Sequence, residues 1–119
     1  MIKLNNFKLA EFKCPCCGEV KMDEKFLKLL DLARTTAGIP FVITSGFRCD
    51  KHNQEVGGKA DSAHLKGVAA DISCQSSASR FAIVNSLLRC GFNRIGIADS
   101  FIHCDIDLSK PSSVIWLYK

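Results

Sequence analysis

A chain of 119 residues, of which 47% are apolar, is long enough to bury one core, and we predict a single domain over residues 1–119. The net charge of +4 is mildly basic, as expected of a soluble surface with a small excess of lysine. No apolar run approaches the roughly 20 residues that a membrane helix needs, so we expect neither a membrane-spanning helix nor a membrane partner.

The N-terminus and the cysteines indicate the cellular compartment. Residues 1–8 contain no continuous hydrophobic stretch, so we expect no secretory signal and synthesis in the cytoplasm. Seven cysteines are many for this length, but without a signal a disulfide framework is the weaker interpretation. Cys74, Cys90 and Cys104 lie in apolar surroundings and are predicted to be plain buried thiols.

Residues 1–20 are predicted to form an N-terminal arm that carries a cysteine-rich turn. Apolar residues could pin this arm to the domain, namely Leu4, Phe7, Leu9 and Phe12. The spacing of Cys14 and Cys17 is that of a zinc knuckle, which predicts a structural metal site. No second knuckle exists, so further ligands would come from Cys49, together with Cys16 or a histidine. The alternatives are a turn of reduced thiols or a disulfide between nearby cysteines.

The rest of the chain alternates helical and extended patterns. In chain order we predict a helix over 23–38, a strand over 41–45, a short helix over 50–55, a strand over 68–73, a helix capped by Ser77 that stops at Gly91, strands over 94–98 and 101–108, and a last strand over 114–118. The first helix should bury a stripe of Phe26, Leu29, Leu30 and Ala33, and the last should turn inward Phe81, Val84, Leu87 and Leu88. Helices packed on one side of a mostly antiparallel sheet give an α+β domain.

Three residues form a candidate metal site. His64 precedes a glycine turn at Gly67, and Asp71 follows in a short apolar run that predicts a buried strand. The segment 101–108 alternates apolar and polar residues, which places His103 on the polar face of another strand. Two histidines and one aspartate leave an open position on a tetrahedral zinc, which is typical of a catalytic site.

Several segments carry a resemblance to a known family. They are SGFR at 45–48, HN at 52–53, VGG at 56–58, SAHLKGVAAD at 62–71 and FIHCD at 101–105. Together they resemble the core signature of the peptidase M15 family of zinc enzymes, and within it the type of subfamily A. That family includes D-alanyl-D-alanine carboxypeptidases, the dipeptidase of vancomycin resistance and phage peptidoglycan endopeptidases. The resemblance implies the small α+β fold shared by hedgehog signalling domains and D,D-peptidases.

The resemblance also implies roles for site residues. His64, Asp71 and His103 match the zinc ligands, and Arg48 matches an arginine that binds substrate or stabilises the oxyanion. Ser62 lies two positions before His64, where it could bind near the metal or simply form the turn.

The general base is where the sequence departs from its relatives. Several of them carry an acidic residue three positions before the last histidine, and here that position is Ser100. Serine is too weak a base to deprotonate a water usefully. Asp99 is therefore the candidate base, and Asp105 could serve from the same strand face as His103. We prefer Asp105 as the carboxylate that orients the His103 ring.

The resemblance implies a zinc metallopeptidase that cleaves stem or cross-link peptides of peptidoglycan at a D-alanine bond, with one catalytic zinc and a second, structural zinc as an option. We expect a monomer of phage or prophage origin, an endolysin that acts on the cell wall after release or as part of a phage particle. One alternative is a non-catalytic zinc domain of the same fold that binds cell-wall peptide or a protein. A zinc-knuckle nucleic-acid binder is disfavoured because the chain lacks a clustered basic stripe with interleaved aromatic residues.

Overall fold

The fold is a five-stranded sheet with helices on one face. The computed structural model describes residues 3–118. Its strands are β1 (Ile43–Ser45), β2 (Ala69–Ser73), β3 (Arg94–Ile97), β4 (Phe101–Asp105) and β5 (Val114–Leu117). The strand order is β1-β2-β4-β3-β5, and each neighbouring pair is antiparallel except β3 and β5, which are parallel. The α+β architecture with a mostly antiparallel sheet is thus confirmed.

The described residues also form three α-helices and two single turns of 3-10 helix. The helices are α1 (Glu24–Ala37), α2 (Asp50–Glu55) and α3 (Ser77–Arg89), and the 3-10 turns are Leu9–Phe12 and Ala63–Lys66. Helix α1 begins where the Asp23 carboxylate accepts a hydrogen bond from the Phe26 backbone N–H at 2.9 Å. It ends at Gly38, whose φ of 70° only glycine adopts without strain.

The alternation of the strands separates the core from the site. Ile72, Ile102 and Cys104 are fully buried on the face of the sheet that α1 and α3 cover. Successive residues of a strand point to opposite faces, so Asp71 and His103 lie on the other face. Each fully buried large apolar side chain stabilises the fold by about 1.5–3 kcal/mol. The apolar core therefore holds rigid the strands that carry the polar residues.

The prediction of a strand over 101–108 is wrong for its last three residues. Strand β4 ends at Asp105, because the Asp105 side chain accepts a hydrogen bond from the Asp107 N–H at 3.0 Å. Asp107 in turn accepts one from the Ser109 N–H at 3.0 Å. Such local bonds replace the strand ladder with turns, and Leu108, predicted to be apolar and inward, is 99% exposed.

The inward face predicted for the last helix is also partly wrong. Helix α3 is capped by Ser76 instead of Ser77, and Phe81 and Leu88 are 72% and 47% exposed. The buried positions are Ile83, Ser86 and Leu87. The buried face tolerates a serine because the Ser86 hydroxyl donates a hydrogen bond to the Ile83 carbonyl at 2.9 Å.

Smaller differences concern the first helix and the strand after it. Helix α1 buries Leu27 rather than Leu29, which is only half-buried. Strand β1 is shorter than the predicted 41–45, although Phe41 is buried in the core.

The N-terminal arm packs on the domain through aromatic residues. Phe7 and Phe12 are buried with their ring centroids 5.3 Å apart, whereas Leu9 is exposed. Asp31 on α1 holds the arm by accepting hydrogen bonds from the backbone N–H groups of Asn5 and Asn6. Residues 1 and 2 of the predicted arm lie outside the described residues.

None of the seven cysteines forms a disulfide. Cys74 and Cys104 are buried as predicted, and Cys90 is partly exposed. Over residues 3–118, every helix is too short or too polar to cross a membrane.

Candidate active site

Three buried side chains converge on the open face of the sheet. Asp71 on β2 and His103 on β4 are direct cross-strand partners, and His64 comes from the 3-10 turn Ala63–Lys66. One ligand atom from each of the three lies within 4.8 Å of the others. The sheet register and one turn therefore bring together residues up to 39 positions apart in the sequence.

His64 presents one nitrogen to this cluster. The Ser62 hydroxyl accepts a hydrogen bond from the His64 backbone N–H at 3.2 Å, and Gly67 ends the turn with a φ of 72°. The ring Nδ1–H donates to the Gly46 carbonyl at 2.8 Å. Because a carbonyl only accepts, Nδ1 carries the proton and Nε2 keeps its lone pair.

The lone pair of His64 faces an acceptor. Nε2 lies 3.3 Å from Asp71 Oδ1, but it is buried without a hydrogen-bond partner. No hydrogen bond forms across this short distance, because an imidazole nitrogen without a proton and a carboxylate oxygen are both acceptors. Two lone pairs aimed at one point are stabilised by a cation between them.

His103 is oriented by a second carboxylate. Its Nε2–H donates to Asp105 Oδ2 at 2.7 Å, and its Nδ1 lies 3.0 Å from Asp71 Oδ1. Arg94 Nε donates to Asp105 Oδ1 at 2.7 Å and fixes that carboxylate. Burial lowers the pKa of His103, but the bonds to Asp105 and Asp71 outweigh it and raise the pKa. A cation at Nδ1 would take the place of a proton.

Asp71 is the ionised centre of the cluster. Burial raises the pKa of its carboxyl, but the neighbouring His103 and His64 side chains lower it more, to well below its usual range. Oδ1 faces both imidazoles, and Oδ2 lies 3.5 Å from Arg48 Nη2. Two imidazole nitrogens and an ionised carboxylate form a set of ligands that suits zinc, so the residues present fit that metal.

Arg48 is held next to the cluster. Its Nε donates to the Ser45 hydroxyl at 3.1 Å and its Nη1 donates to Asn53 Oδ1 at 3.2 Å. The Asn53 amide in turn donates to the Lys59 carbonyl at 2.8 Å. A Cβ on Gly58 would overlap the Asn53 side chain, so a larger residue there would displace Asn53 from Arg48. The guanidinium has five N–H donors, and these contacts leave some for a bound carboxylate.

A cleft of about 680 Å³ opens above these residues. Aromatic side chains form one wall, with the Trp116 ring 5.5 Å and the Tyr118 ring 6.4 Å from the His103 ring, centroid to centroid. Both rings pass over Gly96, where a Cβ would lie 2.5 Å from Tyr118 Cε2 and 2.7 Å from Trp116 Nε1. The missing side chain at Gly96 therefore makes room for the aromatic wall.

The model of the peptidase M15 family matches residues 5–105 of the chain. This protein is a member of the peptidase M15 family. Membership implies hydrolase activity of the metallopeptidase type, and the family depends on zinc in general. The fold described above is compatible with that of M15 peptidases. No curated protein matches the chain.

The other predicted site residues of this M15 peptidase fall in different places. Arg48, Ser62 and Asp105 line the cleft. Asp105 is 1% exposed, and burial raises its pKa, but bonds from His103, Asp107 and Arg94 lower it further than burial raises it. Asp99 lies in the exposed turn between β3 and β4, outside the residues that line the cleft, so its role as a base stays a prediction.

Some residues of the M15 site carry no clear signal in the sequence. The Gly46 carbonyl, Arg94 and Asn53 act on His64, Asp105 and Arg48, respectively. Arg94 carries a partial signal, because the alternation of β3 places it on the same face of the sheet as Gly96. The Gly46 and Asn53 contacts depend on how loops fold and leave no periodic pattern.

Proposed function

We propose that this M15 peptidase is a zinc metallopeptidase that cleaves stem or cross-link peptides of peptidoglycan at a D-alanine bond. The observation that carries the proposal is the convergence of His64, Asp71 and His103 at the base of a cleft beside Arg48. These three residues would hold a zinc ion, which would act as a Lewis acid and lower the pKa of water toward ~7.

The residues of the chain prepare the site for that chemistry. The Gly46 carbonyl and the Asp105 carboxylate fix the tautomers of His64 and His103, so that each ring presents a lone pair to the metal. Arg48 is placed to bind a substrate carboxylate or the oxyanion that forms during peptide hydrolysis. Preorganised donors of this kind usually supply the largest single part of catalysis.

The charges of the cleft support a carboxylate-bearing peptide as the substrate. Arg48, Lys59 and Lys110 line the cleft and favour an anion. The rings of Trp116 and Tyr118 offer an apolar wall against which a small side chain such as the methyl of alanine could pack. A stem peptide that ends in D-alanine combines both properties. The resemblance to phage endopeptidases adds the proposal of an endolysin that acts as a monomer in cell-wall lysis, after release or within a phage particle.

The proton acceptor needs a carboxylate that is both near the substrate and uncommitted. Asp71 and Asp105 are engaged by histidine and arginine side chains. Asp61 lines the cleft, and its carboxylate makes no hydrogen bond or ion pair with a described residue. Asp99, the candidate from the sequence, lies outside the cleft lining. This placement favours Asp61 over Asp99 as the residue that moves the proton to the leaving amine.

The proposal is tested by incubating zinc-loaded protein with purified peptidoglycan and with peptides that end in D-alanyl-D-alanine or L-alanyl-L-alanine. We expect chelator-sensitive cleavage of the D-alanyl peptide, detected by mass spectrometry. Release of free D-alanine indicates a carboxypeptidase, and conversion of cross-linked dimers to monomers indicates an endopeptidase. His103→Ala should abolish turnover, while His52→Ala, a histidine outside the triad, should retain it. Fully zinc-loaded protein that releases no product contradicts the proposal.

A second candidate function is a zinc domain that binds cell-wall peptide without cleaving it. Ser100 at the position of the expected acid favours this alternative, as does the engagement of Asp71 and Asp105 by other residues. Isothermal titration with the same peptides separates the two functions. Binding that requires Arg48, without any product after prolonged incubation, would establish the binding domain.

A further inference from the structure

A second group of metal-binding side chains lies away from the cleft. One sulfur from each of Cys14, Cys17 and Cys49 lies within 4.8 Å of the other two, and none of them lines the cleft. The Cys14 and Cys49 sulfurs are 3.7 Å apart. A disulfide holds its sulfurs about 2.05 Å apart, so this spacing is not that of a disulfide.

The spacing is that of thiolates around zinc. At a Zn–S distance of about 2.3 Å, the edge of a tetrahedron is about 3.8 Å long. The Cys14–Cys49 distance of 3.7 Å agrees with this edge. The two sulfurs come from segments 35 residues apart in the sequence, so local chain geometry does not impose the distance.

The surrounding backbone has the form of a knuckle. The Gly18 N–H donates to the Cys14 carbonyl at 2.8 Å, and Gly18 adopts a φ of 75°. The Cys14 side chain is fully buried beneath this turn. On the other side, Cys49 caps helix α2, where its sulfur lies 3.5 Å from the His52 N–H.

We propose that Cys14, Cys16, Cys17 and Cys49 bind a second, structural zinc ion. Cys16 is assigned as the fourth ligand because it is the remaining cysteine of the turn that carries Cys14 and Cys17, and its side chain is exposed there. Four thiolates form a closed coordination shell with no position for water, which is typical of structural zinc sites. The exposure of Cys16 and Cys17 gives the metal an entry path from solvent.

The site would clamp the loop that serves the active site. The Phe47 N–H donates to the Phe12 carbonyl at 2.9 Å, and a Cβ on Gly46 would lie 2.7 Å from the Phe12 Cα, so the arm and the loop already lie in contact. The same loop supplies the Gly46 carbonyl to His64 and carries Arg48. A metal that joins Cys14 and Cys17 on the arm to Cys49 would therefore hold Arg48 in place.

The test is a count of zinc per chain by elemental mass spectrometry in the full-length protein. We expect two zinc ions in the wild type, one in His103→Ala and one in Cys49→Ser. Cys90→Ser, which changes a cysteine outside the group, should retain two. In cobalt-substituted protein, the thiolate-to-cobalt charge-transfer absorption should persist in His103→Ala and disappear in Cys49→Ser. Retained circular dichroism in Cys49→Ser would show that the loss of metal is local.

Three results would overturn the proposal or its fourth ligand. A single zinc that disappears in His103→Ala would leave the cysteines without metal, as would a disulfide between Cys14 and Cys49 found by mass mapping. Cys16→Ser should weaken binding of this zinc more than about 100-fold, since loss of an outer hydrogen-bond partner alone costs roughly 10- to 100-fold. If His52→Ala weakens binding of this zinc and Cys16→Ser does not, His52 and not Cys16 is the fourth ligand. None of these results affects the proposed peptidase function, which depends on the other site.

Discussion

Asp105 Oδ2 lies 2.7 Å from Nε2 of His103, which precedes it by two residues on the same face of β4. The other oxygen of Asp105 accepts hydrogen bonds from Arg94 Nε and from the Asp107 N–H. Burial raises the pKa of Asp105, but the hydrogen bonds from these donors lower it more. These contacts allow Asp105 to orient the His103 imidazole, and they engage both oxygens of its carboxylate.

Asp105→Asn should weaken zinc binding about 10- to 100-fold, because the amide cannot balance the charge of Arg94 while it accepts from His103. Competition with a chromogenic chelator measures the effect. Asp99→Asn, a change in an exposed turn, should leave zinc affinity unaltered. An Asp105→Asn protein that keeps its zinc affinity but loses turnover would show that Asp105 transfers the proton.

The proton acceptor is identified by two matched substitutions. Asp61→Asn should reduce kcat about 10²- to 10⁴-fold, the usual contribution of a general acid or base, with unchanged zinc content. Asp99→Asn should retain most of the turnover, because that residue does not line the cleft. The reverse pattern would restore Asp99 to the role, and full activity in both variants would mean that neither acts as the base.

Gly96→Ala should disturb the aromatic wall. The added Cβ would lie 2.5 Å from Tyr118 Cε2, so the rings must move. We expect a rise in KM for the peptide and a loss of about 1–3 kcal/mol of stability, as is usual for overpacking, with zinc still bound. In a Trp116→Ala and Tyr118→Ala background the same change should have little further effect. Equal losses in both backgrounds would place the effect in the strand instead of the wall.

The loop after β4 should make stability depend on pH. Burial raises the pKa of Asp107, but hydrogen bonds from Ser109 and Lys66 lower it to well below its ordinary value of 3.8. The resulting stabilisation is present above that value and is lost as pH falls through the pKa of the folded protein. Asp107→Asn should cost about 1.5–3 kcal/mol at pH 7.

Thermal unfolding over a pH series measures this contribution. The difference in Tm between the wild type and Asp107→Asn should persist from neutral pH to about pH 4 and close below it. Asp99→Asn serves as a control for an exposed carboxylate and should follow the wild type. A constant difference at every pH would show that Asp107 acts through packing and not through its charge.

The features that the sequence predicts are those encoded locally. Asp71 and His103 share a face because each lies on a strand with a period of two, and Gly67 ends the turn that carries His64. The contact of Asp105 with Arg94 depends on which strand lies beside β4, and the pairing of β3 with β4 is not encoded in either segment alone. The apolar alternation misplaces Leu108 because side-chain hydrogen bonds end the strand before it.

The lining of the cleft is harder to predict for the same reason. Asp61 and Asp99 both lie in turns, and only the folded path of each loop decides which of them lines the cleft. The cysteine group is an intermediate case. The spacing of Cys14 and Cys17 predicts a metal, whereas the approach of Cys49 comes from the contact between the arm and the loop.

Strand β5 joins the sheet through β3 alone, and it carries Trp116 beyond the residues that the family model matches. The three candidate metal ligands lie on β2, on β4 and on the 3-10 turn Ala63–Lys66. Substitutions along this outer edge can therefore reshape substrate preference while the hydrolytic centre stays intact. The aromatic wall of the cleft and the candidate metal ligands thus rest on different strands, and one can change without the other.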